Sequence, residues 1–509
     1  MDNQRLLTWG FFAIMAWLTY QAWMQDYGPQ PQPAVEQATE GTVTESALPD
    51  LPDIPADTSD LPAVVADTPG DVPEPQAAIP TGRTITVTTD VLDLVIDTRG
   101  GTLTSATLLS YPVAKSRPDD LVELLSPEAS SLGLIQSGLR SAGDGEEPNH
   151  LAQYETVSER YELGRANELV VPLTWRGADG VTVEKRFVFR RGEYAIGLEH
   201  TLTNRSESEW RGAVYAQLKR RSIPQERSMF DVDSYSFDGP IIYDGERSEK
   251  LDRDDLLDDG PYAFDARNGW MGSIQHHFVS AIVPSSDNSF RYNVTLRDDI
   301  ATASAIGPTQ RVAAGSTTTF ETTLFVGPKL QDQLAEAHAE LPLTVDYGFL
   351  TILSDPLFWL LSKVFEYVAN WGVAIIVVTI LIKLVFYKLT ESSGRSMAKM
   401  RNLQPRIKAL QERYKEDRQQ LSQAMMDLYK REKVNPAAGC LPILIQMPFF
   451  LAFYWVLLES VEMRQAPFAL WITDLSSRDP YFILPLVMGV SMFIQQKLNP
   501  QVGDPVQVK

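Results

Sequence analysis

The feature that most constrains this chain is a run of seventeen residues with a single charged side chain. Residues 371–387 read WGVAIIVVTILIKLVFY, and the one charge is Lys383. A run of this length and composition is typical of a transmembrane helix. A cation at the centre of such a helix costs about 2.5–3.5 kcal/mol, so Lys383 is a candidate functional residue. Lys383 also lies four residues before Tyr387, so its long side chain could snorkel to the headgroups. Both interpretations stay open.

Three further apolar segments predict a multi-pass membrane protein. They cover residues 6–24, 440–458 and 481–498. We interpret the first as an uncleaved anchor, because no small-residue cleavage pattern follows it, although a signal peptide is the alternative. Residues 388–433 contain twelve Lys or Arg against six Asp or Glu. Such a basic stretch marks the cytoplasmic side, so we expect both termini in the cytoplasm and residues 26–370 outside.

Composition divides the outer part into a linker and a folded domain. Residues 26–80 contain eleven acidic residues, eleven prolines and no Lys or Arg, which predicts a disordered spacer. Residues 81–342 contain many short runs that alternate with period two, such as VTVEKRFVFR, and we expect a large antiparallel β-sandwich. A helix is expected near residues 331–340. Cys440 is the only cysteine, so no internal disulfide supports this domain.

The fold class that we predict is a multi-domain membrane protein. It combines an α-helical transmembrane bundle with a large periplasmic antiparallel β-sandwich and a cytoplasmic helical hairpin. The predicted segments, in chain order, are an anchor (1–25), the linker (26–80), the sandwich (81–342), an interfacial amphipathic helix (343–370), a transmembrane helix with Lys383 (371–389), the hairpin (390–435), a transmembrane helix (436–458), a periplasmic loop (459–479), a transmembrane helix (480–498) and a cytoplasmic segment (499–509).

Nothing in the chain predicts catalysis or a metal site. There is no Gly-rich phosphate loop, no nucleophile elbow and no zinc-ligand spacing. The adjacent His276 and His277 are expected on opposite faces of a strand, which argues against a shared metal. We therefore predict a protein that is not an enzyme and needs no cofactor. Two alternatives remain, namely a membrane-anchored enzyme that acts on glycans through the sandwich and a passive scaffold.

Polar residues at membrane depth suggest a site instead. Thr379 and Lys383 are four residues apart and share one helix face. Gln446 and the carbonyl groups freed by Pro448 could contribute from the next helix, and Gln495 from the last. If these groups converge, they form a wet, positively charged pocket that opens toward the cytoplasm. The alternative is a set of separate interhelical hydrogen bonds, worth about 0.6 kcal/mol each.

The hairpin carries apolar residues at helical spacing, which we expect to pack its two helices together. Pro405 is expected to kink or delay the first of these helices. Part of the methionine-bearing stripe could stay exposed for a partner. The residues that we expect to contact partners are Met397, Met400, Arg401, Arg406, Lys408 and Arg413.

A long stretch resembles a known family. Residues 396–457 read SMAKMRNLQPRIKALQERYKEDRQQLSQAMMDLYKREKVNPAAGCLPILIQMPFFLAFYWVL, and residues 462–471 read EMRQAPFALW. This sequence is similar to the YidC/Oxa/Alb family of membrane protein insertases, in its Gram-negative form with a large periplasmic domain. The resemblance implies a hydrophilic groove, open to lipid and cytoplasm, that draws in the outer segment of a nascent membrane protein. Lys383 matches the groove cation, which is arginine in many members, and Thr379 matches a groove-lining position.

The resemblance implies further roles. The helix along which substrates slide corresponds to the one with Cys440, Met447, Pro448 and Phe450. The hairpin corresponds to a cytoplasmic hairpin that contacts targeting factors, and the sandwich resembles a sugar-epimerase-like fold. Implied partners are nascent membrane proteins, the Sec translocon and its accessory proteins, the ribosome, the signal recognition particle with its receptor, and the lipid bilayer, with no direct contact to nucleic acid. The implied location is the bacterial inner membrane. Members of the family have two more transmembrane helices after the region of Asp504, so we expect a truncated chain.

Overall fold

The computed structural model describes residues 82–141, 146–222, 236–285, 288–414, 417–432, 434 and 441–498. The predicted anchor, the whole linker, Cys440 and the segment 499–509 lie outside these residues. The described residues belong to two compact units, and the chain passes from one to the other between Val345 and Asp346. Each unit is described by itself below.

The first unit is built on two large β-sheets. Its strands are β1 Thr84–Thr88, β2 Leu92–Asp97, β3 Thr102–Ala114, β4 Arg117–Leu125, β5 Gly133–Ser141, β6 Glu155–Thr156, β7 Arg160–Glu162, β8 Glu168–Arg176, β9 Val181–Arg190, β10 Ala195–Asn204, β11 Trp210–Arg221, β12 Asp238–Tyr243, β13 Ser248–Lys250, β14 Tyr262–Arg267, β15 Trp270–Gln275, β16 Phe278–Pro284, β17 Ser289–Arg297, β18 Ile300–Ile306, β19 Gln310–Val312 and β20 Thr317–Pro328. Two short helices, α1 Arg253–Asp258 and α2 Gln331–Ala337, complete the unit.

The strand order confirms the predicted sandwich. One sheet has the order β14-β17-β18-β11-β5-β3-β2-β1-β7, with β19 on β11 and β4 on β3, and the other has the order β13-β12-β15-β16-β20-β10-β9-β8-β6. The strand pairs are antiparallel except for β1 and β7, which run parallel. The helix expected near residues 331–340 is α2, and it ends at Ala337.

Alternation along the strands places the core between the sheets. In β10, Ile196, Leu198 and Leu202 are buried, whereas the hydroxyls of Thr201 and Thr319 meet on the other face at 3.0 Å. Full burial of one such aliphatic side chain is worth about 1.5–3 kcal/mol. The period-two pattern therefore located these strands because it reports which face of the sheet is buried.

The core also holds one buried cation, Lys185 of β9. Its Nζ donates to the carbonyl oxygens of Gly100 at 2.7 Å and Ser137 at 3.2 Å. Burial lowers the pKa of Lys185 to about 7. The neighbouring His200 is also buried, and burial followed by the Lys185 charge lowers the pKa of its imidazole well below the usual range. Because a buried charge is costly, this part of the core is stabilised at high pH.

The prediction for the adjacent histidines is wrong. His276 and His277 form the two-residue turn between β15 and β16, where Gln275 pairs with Phe278. His276 has a φ of 47°, and the two rings stack with their centroids 3.7 Å apart. Alternation applies only inside a strand, so it does not hold at a hairpin turn. Among the described residues, no three His, Cys, Asp or Glu side chains are grouped to hold a metal ion.

The second unit is helical. Its helices are α3 Thr351–Val368, α4 Trp371–Val385, α5 Tyr387–Arg413, α6 Arg418–Arg431, α7 Leu441–Glu459 and α8 Ile483–Leu498. Within the described chain, α7 is the one helix that is long and apolar enough to cross a membrane by itself. Taken together, α4 and the part of α5 up to Met400 are also long and apolar enough to cross a membrane, although the two helices are bent by 64° relative to each other.

Several helix boundaries differ from the sequence prediction. The interfacial helix expected over 343–370 is α3, Thr351–Val368, and the helix expected over 480–498 begins at Ile483. The helix with Lys383 ends at Val385, whereas we expected it to reach residue 389, and a new helix begins at Tyr387. Pro405 lies inside α5, which is one helix from Tyr387 to Arg413, so the expected delay of this helix is wrong, and the expected kink stays a prediction.

Candidate substrate groove of the helical unit

Helix α3 is the common packing partner of α4 and α7. It buries Ser354, Leu357 and Leu361, and the Ser354 hydroxyl donates to the Ala452 carbonyl of α7 at 3.3 Å. The buried line of α4 runs along Ala374, Val378 and Ile382, as its four-residue spacing requires. That of α7 includes Ala452, Phe453 and Val456. The three helices therefore form the packed part of the unit.

The turn from α3 to α4 is fixed by specific contacts. Asn370 caps α4, because its side chain accepts from the Val373 amide at 3.0 Å and donates to the Phe468 carbonyl at 2.9 Å. The rings of Phe365 and Trp371 stack with centroids 3.9 Å apart. A Cβ atom at Gly372 would overlap with the Phe468 ring. The loop after α7 therefore packs on the start of α4.

The other end of α4 contacts the first half of α7. Phe386, the residue between α4 and α5, meets Phe449 edge to face with ring centroids 5.0 Å apart. Since the start of α4 lies at Phe468, beyond the end of α7, the two helices run in opposite directions. The aromatic pair marks the point where α4 ends and the chain bends into α5.

Lys383 lies in the last turn of α4. Its side chain is exposed, and it has no ion-pair or hydrogen-bond partner within the described residues. A cation in a last turn is stabilised by the carbonyl groups of the helix end. The fifteen residues of α4 span about 22 Å, less than the roughly 30 Å of a hydrocarbon core. Lys383 thus lies close to one end of a short helix, which fits both a groove cation and a snorkelling side chain.

Thr379 lies one turn before Lys383 and is half-buried. Its hydroxyl donates to the Ile375 carbonyl of its own helix at 2.8 Å. A threonine hydroxyl still has lone pairs free to accept a hydrogen bond. Thr379 and Lys383 therefore present an acceptor and a cation on adjacent turns of one helix.

Gln446 is half-buried on α7, one turn before Phe449. Lys383 is likewise one turn before Phe386. Because the helices are antiparallel, Lys383 and Gln446 lie on opposite sides of the aromatic pair along the helix axis. The structure brings both residues near the Phe386–Phe449 contact but does not place them directly across from each other.

Gln495 is not brought to the other polar residues. Its helix α8 is exposed at every described side chain from Ile483 to Lys497. Of the four polar residues expected to form a pocket, the structure therefore brings together Thr379 and Lys383 on α4, with Gln446 near the end of that helix. The structure leaves α8 without a packed face among the described residues.

The residues expected on the sliding helix lie mostly on one exposed face of α7. Met447 is 48% exposed and Phe450 37%, and Ile443 and Tyr454 extend the same apolar stripe. Pro448 is half-buried inside the helix, where it cannot donate to the Leu444 carbonyl. Cys440 lies outside the described residues. The structure therefore gives α7 an exposed apolar stripe along the residues expected to guide a substrate.

The residues expected on the hairpin are divided between its core and its surface. Met400 is buried with Leu403 and Val434, and Met397 is half-buried. Arg406 pairs with Glu432 across the hairpin at 2.6 Å. Lys408 and Arg413 are exposed, and the side chain of Arg401 lies outside the description. The stripe of apolar residues therefore packs the hairpin, and the cations cover it.

The loop that follows α7 is organised by two carboxylates. Asp474 accepts from the Gln465 amide and from the backbone and side chain of Ser476, and Ser477 donates to its second oxygen at 2.6 Å. Burial raises the pKa of Asp474, but these hydrogen bonds outweigh it and leave the pKa below its usual value. Asp479 accepts from the Leu484 amide at 2.7 Å in the first turn of α8, and this bond lowers its pKa.

Sequence reasoning missed the residues that fix the geometry. The aromatic pair of Phe386 and Phe449 could not be found, because its members are 63 positions apart in two apolar runs. The cap at Asn370 had a recognisable signal, an asparagine directly before an apolar run. The close approach at Gly372 had none.

Comparisons with known proteins place this geometry in a family. Residues 84–360 match the model of the YidC periplasmic domain, and residues 363–509 match that of the 60Kd inner membrane protein. Among curated relatives, the membrane protein insertase YidC of Thioalkalivibrio sulfidiphilus is 45% identical, over 100% of this chain and 91% of that protein. The insertase YidC of Methylococcus capsulatus is also 45% identical, with the same coverage of both chains.

Solved structures give a weaker likeness. A galactose mutarotase-like protein from Lactobacillus casei is 11% identical, covers 48% of this chain and 99% of its own, and has a TM-score of 0.33. A TM-score this low supports no inference. The expected epimerase-like fold of the sandwich stays a prediction.

Proposed function

Because this chain belongs to the YidC family of membrane protein insertases, we propose that it inserts its substrates through the face formed by α4 and α7. The chain is an inner-membrane protein and an insertase, as its family and its full-length relatives show. Its substrates are nascent membrane proteins. Insertion makes and breaks no covalent bond, so the residues must act by lowering the free energy of moving a polar segment into the membrane.

The observation that carries the proposal is the exposed ammonium of Lys383, without a partner in the described residues, on an otherwise apolar helix. Two unit charges 4 Å apart attract by about 4 kcal/mol at an effective permittivity of 20, and by about 1 kcal/mol in water. Lys383 attracts the acidic outer segment of a substrate by an energy between these limits. Thr379 adds an acceptor one turn away for the amide hydrogens of the same segment.

The short α4 helix supports a second contribution. A helix of about 22 Å in a core of roughly 30 Å requires a thinner bilayer or water at one end. The substrate's polar segment then crosses a shorter apolar layer. Its hydrophobic helix meets the exposed stripe of Met447 and Phe450 on α7 and passes from there to lipid.

We further propose the topology and partners. The N-terminus and the hairpin face the cytoplasm, and the sandwich and the loop after α7 face the periplasm. The ribosome, the signal recognition particle with its receptor and the Sec translocon with its accessory proteins are partners of this chain. What supports the hairpin as the cytoplasmic contact is its excess of basic residues.

A photo-crosslinking residue at Met447 tests the substrate path. Ribosome-held nascent chains of a small two-span membrane protein should crosslink to this position during insertion. The control is Ile352 of α3, which is apolar and 85% exposed but lies outside the α4–α7 face. Equal crosslinking from both positions, or none from Met447 while the substrate still assembles, contradicts the proposed path.

The alternatives predict other results. An enzyme acting through the sandwich would leave crosslinking at Met447 unrelated to activity, and a passive scaffold would tolerate any substitution at Lys383. The relatives described above are named insertases, which favours insertion over both alternatives.

A further inference from the structure

Helix α5 carries a line of cations along one face. Its basic residues include Lys388, Arg395, Lys399, Arg406 and Arg413. At 3.6 residues per turn, these five positions fall within about 20° of a common line, and they extend over about 37 Å of helix. We call this set the basic stripe. A regular alignment over seven turns gives one helix face a positive potential along its whole length.

The stripe is on the surface of the hairpin. All five side chains are exposed, whereas Met400 and Leu403 on a neighbouring face are buried against Val434. The apolar contacts of α5 in the hairpin therefore lie off the basic stripe, whose one ion pair across the hairpin joins Arg406 to Glu432.

Part of the stripe's charge is neutralised within the protein. Glu391 pairs with Lys388 at 3.6 Å and with Arg395 at 2.6 Å, and Arg406 pairs with Glu432. Lys399 and Arg413 have no acidic partner among the residues that the structure describes. The five cations and two carboxylates leave a net charge of about +3 on this face.

The bend before α5 gives the helix its direction. The axes of α4 and of the first half of α5 differ by 64°, and the break lies at Phe386, three residues after Lys383. If α4 crosses the bilayer within the usual 20° or so of its normal, α5 leaves the membrane at a low angle to its surface. A long basic helix that starts at the inner interface and runs along it lies within reach of the headgroups.

We propose that the basic stripe of α5 is a docking surface for the anionic headgroups of the inner leaflet. The stripe holds the hairpin against the membrane, with Lys399 and Arg413 as its unpaired contacts. The inference goes beyond the proposed insertion path and depends on it only for the side of the membrane on which the hairpin lies. The occupant follows from charge complementarity and from the continuity of α5 with a membrane-crossing helix.

Spin labelling of the full-length chain tests this docking. Asn402 is exposed and lies about 40° from the basic stripe around the helix. A nitroxide at Asn402→Cys therefore reports how deeply this face lies in the membrane. The Cys440→Ser substitution removes the only native cysteine, so the label attaches at one position. The protein is reconstituted in nanodiscs of phosphatidylcholine alone or with phosphatidylglycerol added. Accessibility to oxygen and to a soluble nickel complex then measures how much of the hairpin is docked.

We expect phosphatidylglycerol to raise oxygen accessibility and lower nickel accessibility at this position. High salt should reverse the change, because screening shortens the reach of surface charges. Lys399→Gln with Arg413→Gln should lower the ratio of docked to free hairpin about thirtyfold, which corresponds to about 1 kcal/mol for each cation near an anionic surface. The matched control is Lys408→Gln with Lys430→Gln, which removes two exposed cations outside the stripe and should leave the ratio nearly unchanged.

Two results would overturn the proposal. One is equal accessibility of the label with and without phosphatidylglycerol, and the other is an equal loss in the stripe and control variants. Protection of the label by a short RNA but not by phosphatidylglycerol would assign the stripe to nucleic acid and likewise refute docking to lipid. Insertion activity measured on the same samples keeps this outcome separate from a failure of the proposed path.

Discussion

Reversal of the charge at Lys383 is the most direct test of the groove. Lys383→Glu breaks no hydrogen bond or ion pair of the described residues, since the side chain is exposed and has no such partner there. The packing of α4 on α3 uses Ala374, Val378 and Ile382, which lie on another face. A loss confined to acidic substrates in this variant therefore reports the charge and not the fold.

The size of the effect follows from the exposure of the side chain. The attraction between Lys383 and one substrate carboxylate lies between about 1 and 4 kcal/mol at 4 Å, and partial solvent access favours the lower half of this range. A loss of about 2 kcal/mol slows a step that depends on the pair about thirtyfold. Lys383→Arg keeps the charge and should insert within a few-fold of the unchanged protein.

The assay compares two substrates in proteoliposomes. One has an acidic outer segment, and in the other the acidic residues are replaced by asparagine or glutamine. Lys383→Glu should slow the first substrate and spare the second. Lys430→Glu, at an exposed position of the hairpin, is the control for net charge. Normal insertion of the acidic substrate by Lys383→Glu would refute the groove cation, and an equal loss for both substrates would mean that the variant acts through the fold.

Three further predictions concern the packing and the core. Phe449→Ala removes an aromatic pair worth about 0.5–1.5 kcal/mol beyond its buried area, and it should speed hydrogen exchange of the chain around Phe386 more than Phe450→Ala does; equal rates would show that the pair does not hold the bend. Gly372→Ala forces a Cβ into the Phe468 ring and should destabilise the full-length chain in detergent by about 1–3 kcal/mol. The control Gly489→Ala has open space around its new Cβ and should not destabilise the chain. The same melting temperature for both variants would contradict the close approach of Gly372 and Phe468. Burial lowers the pKa of Lys185 from 10.5 to about 7, so between these pH values the folded state binds fewer protons than the unfolded state, and stability should rise with pH. Pulse proteolysis in urea should show this rise. The same rise in Lys185→Met would assign the pH dependence to another group.

The sandwich could be predicted from sequence, and the helix boundaries could not. Strands such as β9 and β10 bury alternate residues, so the sequence pattern follows directly from the sheet. The end of α4 at Val385 has no such signal, because the residues on both sides of the break are apolar or aromatic. The break coincides with the contact between Phe386 and Phe449, and a contact between distant positions is invisible to a local pattern.

The candidate site likewise has a part that the sequence predicts and a part that it does not. The pair of Thr379 and Lys383 follows from four-residue spacing within one helix, and the structure keeps it on one side of α4. The convergence of Gln446 and Gln495 depended on how separate helices pack, which neither spacing nor composition determines. Gln446 lies beyond the aromatic pair and Gln495 on an exposed helix, so the sequence identified the polar residues but not their arrangement.

The position of Lys383 reconciles the two interpretations that the sequence left open. A lysine in the last turn of a short helix needs no long reach to find water, so its charge is cheaper to keep than the same charge at mid-membrane. In the proposed groove, an exposed ammonium would pair with a carboxylate at a small desolvation cost. Under the proposed function, snorkelling and substrate attraction are therefore one arrangement seen with and without a substrate. The short α4, the bend at Phe386 and the basic helix that follows all concentrate positive charge at the end of the helix where an acidic segment would enter.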